Sequence, residues 1–227
     1  NKVLAIDADP DANLGHGLGI KEASNIVPIA KMKDLVAERT ESVPGSFGGF
    51  FKLNPQVDDL PEKLAVSSGD RIRLMVMGGV KKGGTGCVCP ESVLLKNLVQ
   101  HLILRRDEVV VMDMEAGIEH LGRGTSKAVD CLIVVVEPGR RSIETALRIK
   151  ELGTDIGLSN FALVGNKIRG DKDREFLKES LPEYRFLGFV PYDDGLIEAD
   201  VRGIFPEQLQ EQTRKCFEEI ATNLQRL

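Results

Sequence analysis

Residues 3–14 read Val3-Leu4-Ala5-Ile6-Asp7-Ala8-Asp9-Pro10-Asp11-Ala12-Asn13-Leu14. Four consecutive apolar residues give way at once to carboxylates and an amide. A short, continuously apolar run is the pattern of a parallel strand covered on both faces, not the alternation of a half-solvated one. The abrupt switch to Asp marks the carboxyl end of that strand, where open α/β sheets bind ligands. The same pattern recurs at 72–77, 109–112, 132–136, 161–165 and 186–190. Helical patterns lie between these runs. One spans 90–104, with Val93, Leu94, Leu98 and Leu102 on its apolar stripe. Another runs from 142 to about 156 on Ile143, Leu147, Ile149 and Leu152, and a last one covers about 206–224. Proline in the first helical turn is an ordinary start signal. The alternation predicts an α/β fold, a mostly parallel doubly wound sheet with helices on both faces. We expect a single domain over 1–227, with an irregular insertion at about 42–69 that is rich in Gly, Pro, Ser and Asp.

The chain has 227 residues, enough for one large domain with a sizeable core. Its 30 Lys and Arg against 35 Asp and Glu leave a net charge of −5. That balance argues against a dedicated binder of nucleic acid or of an anionic membrane. A hydrophobic share of 42% and a charged share of 29% are those of an ordinary soluble protein. The longest apolar runs fall far short of the roughly 20 residues of a membrane helix. No basic segment followed by an apolar one opens the chain, so no secretory signal is visible and the cytoplasm is the expected compartment. Four cysteines make no disulfide scaffold, and the near-adjacent Cys87 and Cys89 are a metal or redox pattern.

The residues after each strand carry the chemistry. Asp7, Asp9, Asp11 and Asn13 follow the first one; clustered carboxylates there can hold Mg²⁺ through water or orient an attacking water. The bland alternative for Asp9, which precedes Pro10, is a helix cap. Four apolar residues ending in Asp113 look like a Walker B strand, whose carboxylate reaches Mg²⁺ through water. Gly117 then lets backbone approach a γ-phosphate closely. The alternative for Asp113 is a loop carboxylate capping a helix. Asn166-Lys167 follows the strand at 161–165; an amide there can pair with a ring nitrogen and the exocyclic amine of adenine, or be a turn asparagine. Pro191-Tyr192-Asp193 offers a second wall for a base. Cys87 and Cys89, if extended, point to one side, since strand side chains repeat every two residues. They supply two soft ligands, and a two-fold axis beside them would supply two more. Such a set suits Zn²⁺ or Ni²⁺, and a redox pair or two inert thiols are the alternatives. Cys131 reads as a core residue, and Cys216 has no assigned role.

Together these segments resemble the MinD/ParA/nitrogenase-iron-protein group of dimeric P-loop ATPases. The order is D-x-D-P-x-x-N-L as switch I, D-x-x-A-G as switch II, then N-K as the base-recognition loop. With Cys87-Val88-Cys89 and the stretch 112–121, the resemblance narrows to the CooC-type accessory ATPases that mature nickel carbon monoxide dehydrogenase. It implies a homodimer that uses ATP and Mg²⁺, holds Ni²⁺ or Zn²⁺ on Cys87 and Cys89 across its interface, and has carbon monoxide dehydrogenase as partner. It implies that Asp9 orients the attacking water with Asp11 and Asn13 in support. Asp113 would hold Mg²⁺ through water, Gly117 would sense the γ-phosphate, and Asn166 would read adenine. The group's P-loop, K-G-G-x-G-K-[ST], stands about 25 to 30 residues before switch I and is not in this chain. Lys82-Gly83-Gly84-Thr85-Gly86 does not replace it, because Cys87 stands where the phosphate-binding Lys belongs. We expect the natural protein to be longer, with the missing strand central in its sheet; the alternative is a relative without ATPase activity. The rivals are a partner-regulated MinD-type ATPase, an iron-sulfur carrier and a non-catalytic metal-binding dimer. The first needs a basic C-terminal membrane helix, yet 207–227 is not basic. The carriers typically bridge subunits with C-x-x-C, where this chain has C-x-C.

Overall fold

The computed structural model describes residues 2–42, 50–78, 90–104, 108–115, 129–206 and 209–227. They fall into two compact units, one ending at Glu115 and the other covering 129–227. The first holds β1 (Val3–Asp7), α1 (Leu14–Gly17), α2 (Lys33–Thr40), α3 (Leu60–Leu64), β2 (Val66–Ser68), β3 (Ile72–Val76), α4 (Pro90–Leu104) and β4 (Val109–Asp113). Its strands lie in the order β2-β3-β1-β4. β1 runs parallel to both neighbours, and β2 is antiparallel to β3. Successive strand side chains face opposite sides, so β1 feeds two cores. Leu4 and Ile6 join Met75, Met77, Val110 and Met112 under α2 and α4. Ala5 joins Leu74 and Val76 beneath Leu14, Leu18 and Ile26.

The second unit holds β5 (Leu132–Val136), α5 (Arg140–Asp155), β6 (Phe161–Ile168), α6 (Asp171–Ser180), β7 (Arg185–Pro191), α7 (Asp194–Arg202) and α8 (Glu211–Leu224). Its strands run β5-β6-β7, all parallel. Ala162, Val164, Leu187 and Val190 meet Cys216, Ile220 and Leu224 of α8. That approach is close: a Cβ on Gly188 would stand 2.6 Å from Ile220 Cγ1. α5 turns Ile143, Ala146 and Ile149 inward, at helical spacing.

Each expected strand forms, with shifted ends. β6 runs three residues beyond the expected 165, and the last helix starts at Glu211 instead of about 206. The segment at 42–69 contains α3 and β2. The apolar runs of β4 and β5 led us to expect cover on both faces. Among the described residues, Val109 is 41% exposed, Val111 51% and Val135 60%. The packed partners of β4 lie on the face of Val110 and Met112, and β5 buries the face of Leu132, Val134 and Val136.

Candidate nucleotide site

β1 ends between β3 and β4, and its register sets Asp7 opposite Asp113, the last residue of β4. The Ala8 N–H donates to the Asp113 carbonyl at 2.9 Å, which ties the start of the following loop to β4. Asp7 is wholly buried. Its Oδ1 accepts from the Asp9 N–H at 3.2 Å and its Oδ2 from the Leu14 N–H at 2.9 Å. Asp9 is half-buried and its Oδ1 accepts from the Asp11 N–H at 2.8 Å, closing an Asx turn. Asp9 is therefore not a helix cap: α1 begins at Leu14, and Asn13 occupies the N-cap without a side-chain cap bond. Asp11 and Asn13 are exposed beside it.

Burial pushes the Asp7 carboxyl above the usual carboxylate range, with its two backbone donors opposing and the charges of Asp113 and Asp9 adding to the rise. Asp113 is exposed as a residue, yet loss of water around its carboxyl, then the charge of Asp9, raises it too. Three mutually repelling carboxylates at one sheet edge are a place where a cation is stabilising. The donors are hard oxygens, which suit Mg²⁺. Among the described residues, no three His, Cys, Asp or Glu side chains are gathered to hold a metal by themselves. A cleft of about 420 Å³ in this unit is lined by Lys52, Asn54, Gln56, Asn97 and His101.

The second unit brings Asn166, Lys167, Pro191 and Tyr192 to one end of its sheet. Asn166 and Lys167 lie within β6, not after it, where the register with β7 shifts between Gly165 and Ile168. Lys167 takes a left-handed φ of 55°, and its Nζ pairs with Glu137 Oε1 at 2.7 Å. Ile168 lies opposite Pro191, and the Tyr192 N–H donates to the Ile168 carbonyl at 2.9 Å. The Arg169 guanidinium sits 4.7 Å above the Tyr192 ring. Asp193 caps α7 through the Gly195 N–H. Sequence reasoning counted Asp7 among the clustered strand-end carboxylates and Asp193 in the second wall for a base; it assigned no role to Glu137 or Arg169.

Gly117, Cys87 and Cys89 lie outside the described residues. The other two cysteines are core residues of the second unit: Cys216 is buried and Cys131 packs against its cluster. Burial pushes both thiols up, away from the thiolate form that binds metal.

A model of the CobQ/CobB/MinD/ParA nucleotide binding domain (CbiA) matches residues 1–206. The chain belongs to this family. Membership carries ATP binding and the expected ATPase activity. An uncharacterised ATP-binding protein of Methanocaldococcus jannaschii is 46% identical over 222 residues, covering 96% of this chain and 84% of that protein. The carbon monoxide dehydrogenase accessory protein CooC of Rhodospirillum rubrum is 43% identical over 205 residues, covering 89% and 77%. Among solved structures, the MinC:MinD cell division complex of Aquifex aeolicus matches with a TM-score of 0.67 at 20% identity, over 100% of this chain and 84% of that one. A ParA family ATPase of Chlorobium tepidum matches at 0.65 and 15% identity, over 98% and 84%. At these identities the structural matches show the shared α/β fold. No helix among the described residues is long and apolar enough to cross a membrane.

Proposed function

We propose that this protein is an accessory ATPase that couples ATP hydrolysis to nickel insertion into carbon monoxide dehydrogenase. The similarity to CooC over 89% of the chain carries the reading. In it, Asp9 orients the attacking water, and Asp11 and Asn13 shape the loop that presents it. Asp113 would hold Mg²⁺ through water; the ion supplies charge neutralisation at the phosphates. Gly117 admits the γ-phosphate by its lack of a Cβ. Asn166, Lys167, Pro191 and Tyr192 receive adenine, with Arg169 steadying the Tyr192 ring from one side.

The nickel is cargo. Cys87 and Cys89 give two thiolates per chain, and a homodimer completes a four-ligand set for Ni²⁺ or Zn²⁺ on its axis. The raised thiol pKa values of Cys131 and Cys216 support this choice of ligands. The protein works in the cytoplasm, where such thiols stay reduced.

The decisive experiment is ATP hydrolysis by the full-length protein and its Asp9→Asn variant. Asn keeps the size and removes the charge. Turnover should fall by about tenfold or more while ATP affinity is kept, because the carboxylate acts in the transition state. Equal turnover refutes the assignment of Asp9.

A further inference from the structure

Asp7 has no part in the reaction described above, yet it is the most deeply placed charge of the strand-end group. It is wholly buried at the end of β1, a strand flanked on both sides. Its own main chain is fixed, since its carbonyl accepts from the Met77 N–H at 2.8 Å. A carboxylate withdrawn from water needs donors. Both oxygens find backbone ones: the Asp9 N–H on Oδ1 at 3.2 Å and the Leu14 N–H on Oδ2 at 2.9 Å. The donors stand two and seven residues downstream, so one buried side chain closes the whole 8–14 segment onto the sheet.

Inside that closure the chain is tightly turned. The Asp9 carbonyl accepts from the Ala12 N–H at 3.1 Å, and Ala12 has a φ of 51°. A left-handed alanine persists only where its surroundings over-determine it. Three of the turn's residues, Pro10, Asp11 and Asn13, are exposed and bring little packing. The two bonds to Asp7 join the Ala8 N–H bond to the Asp113 carbonyl and the packing of Leu14 in fixing its ends.

We propose that Asp7 is a positioning residue of the ATPase, whose buried carboxylate clamps both ends of the 8–14 segment and so holds Asp9 in place beside Asp113. The proposal deepens the function above and rests on Asp9 as the water-orienting group. The clamp needs a carboxylate. Two N–H donors converge on the two oxygens of one group, whereas an asparagine offers one acceptor and turns its NH₂ toward the other donor.

The test combines amide hydrogen exchange with steady-state kinetics on the full-length protein, comparing wild type, Asp7→Asn, Asp7→Ser and Asp9→Asn. In both Asp7 variants the amides of Asp9 and Leu14 should exchange about tenfold faster or more, with β1, β3 and β4 still protected. Their kcat should fall by about ten- to a hundredfold with little change in KM for ATP, as for a misplaced catalytic group. Asp9→Asn should lower kcat and leave the Asp9 and Leu14 amides protected. Unaltered exchange in the Asp7 variants overturns the clamp, and so does wild-type turnover in a variant whose segment has loosened. A rise in exchange throughout the unit would make Asp7 a residue of the fold, and equally overturns it. Full turnover in Asp9→Asn instead removes the role of Asp9, which keeps the two readings apart.

Discussion

Replacing Asp193 with alanine should unpin the end of the second unit that carries Pro191 and Tyr192. Asp193 is 3% exposed. Its carboxylate accepts from the Gly195 N–H at 2.8 Å, the Gln210 N–H at 3.3 Å and the Thr213 hydroxyl at 2.5 Å. One side chain thus caps α7 and ties it to the start of α8. Losing the cap costs about 0.5–2 kcal/mol. Orphaning the hydroxyl of Thr213, which is wholly buried, costs about 1–3 kcal/mol more. The two losses share one site and do not add fully, so about 3 kcal/mol is the working figure. For a chain of this size that is a fall of roughly 6–12 °C in Tm. Asp193→Asn, which keeps one acceptor, should fall about half as far. Calorimetry or circular dichroism reads the shift, and a fall under about 2 °C in Asp193→Ala refutes the reasoning. The pH dependence is a second check. Burial raises the Asp193 carboxyl, but the Thr213 hydroxyl and the N–H groups of Gly195, Gln210 and Leu196 outweigh it and hold the group below the ordinary value. A folded pKa below the unfolded one gives stability that is complete above about 3.9 and is lost as pH falls through the folded value. Wild type and Asp193→Ala should therefore converge toward acid. Convergence toward alkaline pH would contradict the sign.

Cys87→Ser with Cys89→Ser should abolish binding of one Ni²⁺ or Zn²⁺ per dimer, whereas Cys131→Ser and Cys216→Ser should leave that stoichiometry unchanged; metal titration with light scattering checks this, and one metal per monomer would rule out the shared site. Gly188→Ala should destabilise by about 1–3 kcal/mol, because its methyl meets Ile220 Cγ1 at 2.6 Å, and Ile220→Ala in the same chain should recover part of the loss in a denaturant titration.

The strands were legible because each is a largely apolar run closed by a polar residue, Gly or Pro, and period and punctuation agree there. β2 was not: Val66-Ser67-Ser68 has one apolar residue, and its antiparallel pairing with β3 is what makes it a strand. α6 was equally silent, since Phe176 and Leu177 are the apolar residues of a helix otherwise charged or polar, and Leu177 alone of the pair is buried. Strand ends were read short at β6 because Asn166 and Lys167 look like a turn; the bulge before Ile168 and the left-handed φ of Lys167 let a polar pair sit inside the strand. At the site, Asp9 and Asp113 announce themselves by position. Asp7 does so too as a strand-end carboxylate, but its burial and its two backbone donors are not written in residue type.

The placement of the carboxylates follows from the packing of the apolar residues before them. In β1 and β4, Leu4, Ile6, Val110 and Met112 share one core. Side chains alternate faces, so sliding β4 by one residue along β1 would carry Val110 and Met112 out of that core and turn Val109, Val111 and Asp113 into it. The hydrophobic pattern therefore fixes the register, and the register sets Asp113 opposite Asp7. Asp7, on the face of Ala5 and opposite Val76, is then walled off from water and must recruit the N–H groups of Asp9 and Leu14. The loop's conformation is the result of that recruitment. The chain from core to chemistry is thus continuous: two buried and two partly buried side chains set the strand register, the register buries one carboxylate, and that carboxylate shapes the turn that presents the next.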